Sequence, residues 1–107
     1  MEIKQYQIVS INLDPTAGSE IRKTRPCLIL SPNEMNKHLS TVTIAPITSK
    51  SRGYITRVRF ELEATINWIV LDQIRTIDKL RIIKMIGHLE NREIKKVKSI
   101  IKETFVD

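Results

Sequence analysis

Cysteine is almost absent from this chain, with Cys27 the single example. One thiol excludes a disulfide framework. Set in the apolar run CLIL, it reads as a buried, inert side chain, because a reactive thiol needs an electropositive, accessible site. Glycine and proline are also scarce, three and four among 107 residues. With an apolar fraction of 41%, that fits a globular chain and excludes a disordered tail. No apolar run approaches the ~20 residues of a membrane span. The opening MEIKQYQ carries no hydrophobic segment of signal-peptide type, so the expected location is the cytoplasm. The two histidines, His38 and His88, lie far apart in sequence, and no Cys/His/Asp cluster has ligand spacing, so neither a metal nor a cofactor is expected. GSEIRK has the wrong spacing for a phosphate-binding P-loop.

What the chain has is positive charge. Lys and Arg total 18 against 12 Asp and Glu, for a net charge of +6. That balance favours an anionic partner such as nucleic acid or an acidic peptide. The length suits one domain spanning residues 1–107.

Periodicity divides the chain into short strands and a final helix. QYQIVSINL, Gln5–Leu13, alternates as a half-buried strand. DPTAGS breaks it at Pro15 and Gly18. PCLILS is an apolar run suited to a central strand, and after Pro32 a single helical turn is expected, capped by Ser31 or Asn33. STVTIAPI, Ser40–Ile47, is β-branched and reads as a third strand. ITRVRFELE alternates with one wet face that bears Arg57 and Arg59. NWIVLDQIRTID, Asn67–Asp78, begins as a buried strand and turns polar at Asp72. RIIKMIGHL, Arg81–Leu89, is another strand, with Gly87 at a bulge. From Asn91 onward Ile94, Val97, Ile101 and Phe105 fall at helical spacing, and Glu93 suits the first turn. The expected fold is mainly β with helices (α+β): an SH3-like small barrel of bent antiparallel sheet with a C-terminal helix.

Chemistry-bearing residues gather at strand ends. Arg25 begins the second strand, held by Pro26. Thr48 and Ser49 end the third, followed by Lys50 and Arg52. Asp72, Gln73 and Arg75 close the fifth. An arginine can grip a phosphate in two places and a threonine hydroxyl can add a third hydrogen bond. Together they suit charge developing on a pentavalent phosphorus. The loop before Arg25 adds Ser19, Glu20, Arg22 and Lys23.

INLDPTAGSEIRKTRPCLILSP, IAPITS and VLDQIRTID resemble, in order, three signature blocks of the MazF/PemK (Kid) family of toxin endoribonucleases. The likeness covers nearly the whole chain. It implies a homodimeric barrel of CcdB/MazF type that cuts single-stranded RNA, usually messenger RNA, at short sequences without a metal. Attack of a ribose 2′-hydroxyl on the adjacent phosphorus would leave a 2′,3′-cyclic phosphate and a 5′-hydroxyl. By that resemblance Arg25 and Thr48 are the catalytic pair. Glu20 and Asp72 stand where relatives place an acid, and Ser19 stands where certain relatives have histidine. Ser49, Lys50, Arg52, Gln73, Arg22 and Lys23 are candidate RNA contacts. An acidic, MazE-like antitoxin would occupy the same basic groove. The alternative is a non-catalytic, CcdB-like toxin that binds DNA gyrase, which would need neither Arg25 nor Thr48. Two departures stand out: Tyr6 and Gln7 replace a glycine and an acid common in relatives, and Ala64–Asn67 replaces a glycine-containing stretch.

Overall fold

The computed structural model describes residues 2–12, 24–50 and 54–106. Among these residues, seven strands and two α-helices follow one another as β1 (Gln7–Asn12), β2 (Thr24–Ile29), α1 (Asn33–His38), β3 (Thr41–Thr48), β4 (Arg57–Leu62), β5 (Thr65–Val70), β6 (Arg75–Asp78), β7 (Ile82–His88) and α2 (Asn91–Ile101). Every recorded strand pair is antiparallel, in the order β4-β5-β3-β2-β1-β7, with β6 also on β3.

The sheet curls, and each of its faces buries apolar side chains. One cluster holds Ile8, Leu28, Ala45, Ile47, Phe60, Ile69 and Val97. The other holds Val9, Ile11, Cys27, Ile29, Val42, Ile44 and Ile77. This corrects the half-buried reading of the first strand. Gln7 through Ile11 are all buried, Ser10 among them, because both faces of β1 are covered: Ile8 enters the first cluster and Val9 and Ile11 the second.

The stretch Asn67–Asp78 runs along β3 as one strand broken in the middle. Ile47 pairs with Ile69, whereas Ile44 pairs with Arg75, so two residues of β3 face five on the other side. The surplus forms a 3-10 turn at Leu71–Gln73 that buries Leu71 and leaves Asp72 and Gln73 exposed. Pro46 sits opposite this break. It has no N–H to contribute, so β3 changes partner from β6 to β5 where a ladder bond would be lost anyway.

Smaller features follow local chemistry. On β7 the register slips between Gly87 and Met85, a bulge beside the expected glycine. Neither Ser31 nor Asn33 caps α1, whose N-cap is Pro32. Instead Ser31 Oγ donates to Asn36 Oδ1 at 2.5 Å, and Asn33 Oδ1 accepts from the Gln5 amide at 2.7 Å. Tyr6 has φ 69°, the left-handed conformation that favours glycine. Glu63 and Ala64, with φ 52° and 63°, form the two-residue hairpin between β4 and β5. Positive φ at both positions is the mark of a type I′ turn.

α2 starts with a capping box, in which the Glu90 side chain accepts from the backbone at Glu93 and Glu93 Oε1 accepts from the Glu90 amide at 3.0 Å. Val97 is fully buried against the first cluster, flanked by Ile94, Ile100 and Ile101. The expected stripe fails at Phe105, which is exposed. The helix loosens into a π-helical turn over Lys102–Val106, which carries Phe105 off the packing face.

Candidate active site

Arg25 enters β2 just before the chain dives into the core. Thr24 and Arg25 are exposed, Pro26 is half-buried and Cys27 to Ile29 are buried. A residue before proline is steered into extended backbone, and Arg25 pairs with Ile11 in that form. Thr48 is the last residue of β3. The β2–β3 ladder ends with Cys27 opposite Pro46. Arg25 and Thr48 each lie two residues beyond that last pair, on their own strands. Positions two apart on a strand share a face, so Arg25 leaves the face of Cys27 and Thr48 the face of Pro46, just past the end of the ladder.

Cys27, two residues beyond Arg25 on β2, reports on its surroundings. Burial pushes its thiol up to about 12, against the fields of the Arg25, Arg75 and Arg81 guanidiniums and a hydrogen bond from the Ile47 backbone. The thiol is therefore protonated and enclosed, as the sequence suggests. The Arg25, Arg75 and Arg81 guanidiniums therefore all lie close enough to act on this buried atom.

The Thr48 hydroxyl is locally engaged. Thr48 Oγ1 donates to the Lys50 carbonyl at 3.2 Å and accepts from the Lys50 amide at 3.1 Å. The backbone bond anchors the oxygen, while a turn about the C–O bond is enough to redirect its proton. Ser49 and Lys50 are exposed beside it.

Asp72 is committed to a different contact. Its Oδ1 accepts from Thr56 Oγ1 at 3.0 Å and from Arg57 Nε at 3.4 Å. Burial's upward push on the carboxyl is outweighed by those bonds, and its pKa falls below the ordinary value. Arg57 also lies over the Tyr54 ring, 5.0 Å from its centroid. The 3-10 turn and the start of β4 are thus tied together through Asp72. Gln73 is exposed on the same turn.

Ser19, Glu20, Arg22, Lys23 and Arg52 lie outside the described residues, as does most of the loop that carries them. The two histidines are not paired with each other. His38 Nε2 lies 3.3 Å from Glu34 Oε1 on α1, and His88 Nδ1 lies 3.1 Å from the Leu89 carbonyl at the end of β7. Among the described residues no group of three or more His, Cys, Asp or Glu is arranged to hold a metal ion, and no helix is long and apolar enough to cross a membrane.

Sequence reasoning missed Trp68. It pairs with Thr48 on one side and Arg59 on the other. Alternation alone placed Arg59 on a wet face, but only cross-strand pairing shows that face to be shared with Trp68 and Thr48.

Residues 4–105 match the family described as PemK-like, MazF-like toxin of type II toxin-antitoxin system. The chain belongs to this family. Endoribonuclease EndoA of Bacillus subtilis is 31% identical over 103 residues, covering 91% of this chain and 89% of that one. Among solved structures, the Mycobacterium tuberculosis toxin MazF-mt6 superposes with a TM-score of 0.79 at 28% identity, covering 94% of this chain and 96% of that one. A mycobacterial endoribonuclease solved in complex with its cognate antitoxin shares the fold, with a TM-score of 0.82 at 19% identity over 97% of this chain and 95% of that one. The curled antiparallel sheet with its C-terminal helix is thus the PemK/MazF toxin fold, and the chain is an endoribonuclease toxin of that family.

Proposed function

We propose that this toxin cuts single-stranded RNA, messenger RNA included, at short sequences without a metal or cofactor, with Arg25 and Thr48 as its catalytic pair. The 2′-oxygen forms a bond to the adjacent phosphorus while the bond from phosphorus to the 5′-oxygen breaks. The 2′-hydroxyl proton passes to a base, and the departing 5′-oxygen takes one up. The products are a 2′,3′-cyclic phosphate and a 5′-hydroxyl. DNA has no 2′-hydroxyl and is spared.

Arg25 neutralises the phosphorane. A guanidinium, protonated far above neutral pH, is a poor base, so its contribution is electrostatic. Thr48 donates its hydroxyl to a non-bridging oxygen after turning from the Lys50 carbonyl. Asp72 is a weak candidate for the base, since its carboxylate is already bonded twice and its basicity is lowered. That leaves Glu20 to take the proton, while Ser19, standing where certain relatives have histidine, cannot replace an imidazole in that transfer and serves as an RNA contact. Arg22, Lys23, Lys50 and Arg52 contact phosphates, and Ser49 and Gln73 contact bases or backbone. The reading is supported above all by the β2–β3 ladder, which ends at Cys27 opposite Pro46, two residues from Arg25 on one strand and two from Thr48 on the other.

The toxin acts as a homodimer in the cytoplasm, and an acidic antitoxin of MazE type blocks its basic groove. A disordered acidic segment folding onto that surface would bury both charge and apolar area.

The test is cleavage of a long mixed-sequence RNA in EDTA by the unmodified chain and by Arg25→Ala and Thr48→Ala. Cuts within one short motif, with 5′-hydroxyl ends and lost in both variants, are expected. Intact RNA in the presence of folded, unmodified protein would overturn the assignment.

A further inference from the structure

We propose that Trp68 is a base-stacking residue that fixes one nucleotide of the RNA next to the cleaved bond. This rests on the reading of Arg25 and Thr48 given above.

Three observations carry it. The first is register. Thr48, Trp68 and Arg59 stand opposite one another on β3, β5 and β4, so their side chains leave the same face of the sheet. Neighbouring strands are ~4.8 Å apart, which puts Trp68 one strand and Arg59 about 10 Å from Thr48. A chain gripped at Thr48 meets the indole next.

The second is space. Arg57, Val58, Arg59 and Trp68 line a cavity of about 340 Å³ with Lys96, Ser99 and Ile100 of α2. That volume lies at the small end of ligand sites and suits a single base. Its lining holds three cations and no carboxylate. Arg57 is tied to Asp72 and Tyr54, whereas Arg59 and Lys96 have no ion pair among the described residues. They are placed to meet the phosphates on either side of a stacked base.

The third is burial. The next residues along the strand, Ile69 and Val70, are buried, but Trp68, the only tryptophan of the chain, is half-buried. An indole kept partly open beside unpaired cations is the usual platform of single-strand binders, tolerant of any base because each has a π-face.

Because the chain has one tryptophan, its emission reports on this site alone. The probe is a 2′-deoxy copy of the mapped cleavage sequence, which binds without being cut. Saturating probe should quench the indole emission, and a probe abasic at one position beside the cut should restore it. Trp68→Ala should raise KM on the order of 10- to 100-fold, with a much smaller effect on kcat, and should flatten the base preference at one flanking position. Trp68→Phe should recover most of the KM. Lys96→Ala should raise KM and reduce its salt dependence.

Emission that ignores the probe, or that responds only to an acidic peptide, would overturn the proposal. So would an unchanged KM and fragment pattern in a folded Trp68→Ala protein. If that variant does not fold, the titration of unmodified protein decides. Failure of the unmodified chain to cut RNA would sink the underlying assignment instead, so the two failures are separable.

Discussion

Thr48 and Trp68 face each other across β3 and β5, at the point where β3 exchanges β6 for β5 as its partner. The end of a ladder leaves a hydroxyl accessible while the backbone behind it remains fixed. Thr48→Ser keeps that hydroxyl and should keep kcat within a few-fold. Thr48→Val keeps the shape without the donor and should lose on the order of 10²-fold in kcat with little change in KM, the size typical of one lost transition-state donor. Single-turnover cleavage of a short RNA separates the two, and a Val variant as fast as the parent would remove Thr48 from the chemistry.

Asp72 offers a sharper test of roles. A general base contributes roughly 10²–10⁴-fold, whereas a carboxylate that holds Thr56 and Arg57 in place should cost far less. Asp72→Asn is expected to keep kcat within about tenfold, and a loss of three orders would make Asp72 the base. Its lowered pKa also has a sign for stability. The contact is present above the ordinary value of 3.8 and is lost as pH falls through the lower folded value. The carboxylate is more than a third exposed, so solvent screening keeps the effect small. Denaturant midpoints of parent and Asp72→Asn should converge as pH drops below 3.8.

Cys27 should behave as a buried thiol despite three nearby arginines. A thiol-specific reagent at pH 8 is expected to react only at the rate of unfolding, and rapid labelling of native protein would contradict the enclosure described. Because burial raises the folded pKa from 9.0 to about 12, the stabilising preference for the protonated thiol is complete below pH 9.0. It is lost progressively as pH rises toward 12. Cys27→Ala should flatten that alkaline decline in a series of denaturant melts.

The hairpin at Glu63–Ala64 stores strain, since both residues adopt a positive φ that costs an L-residue about 1 kcal/mol or more. Glu63→Asn with Ala64→Gly supplies the residues a type I′ turn prefers. The pair should raise Tm by about 4 °C or more, measured by thermal unfolding, without altering cleavage. No rise would mean that the unfolded chain gains as much freedom from glycine as the turn gains relief.

Much of the fold was legible because its signals are local. β-branched runs, alternation in Arg57–Leu62 and the stripe Ile94–Val97–Ile101 each describe one element and need no knowledge of the others. The interruption at Leu71–Gln73 was half legible, as a change from apolar to polar at Asp72. Its geometry was not, because the three extra residues are extra only relative to β3. The capping of α1 was misjudged for a related reason: Ser31 and Asn33 found partners in Asn36 and in the distant Gln5.

The site divides in the same way. The residue types at Arg25 and Thr48, and the proline that sets Arg25 in extended backbone, are written in the chain, and with them the capacity to hold a phosphate. That both lie just past the end of the β2–β3 ladder, and that Thr48, Trp68 and Arg59 form one line across β3, β5 and β4, was decided only in the folded sheet. Strand pairing joins residues far apart in sequence, and a shift of one position would send every side chain to the opposite face. Alternation specifies which residues share a face of one strand; only the packed core, by burying both faces of the sheet, specifies which strands stand side by side.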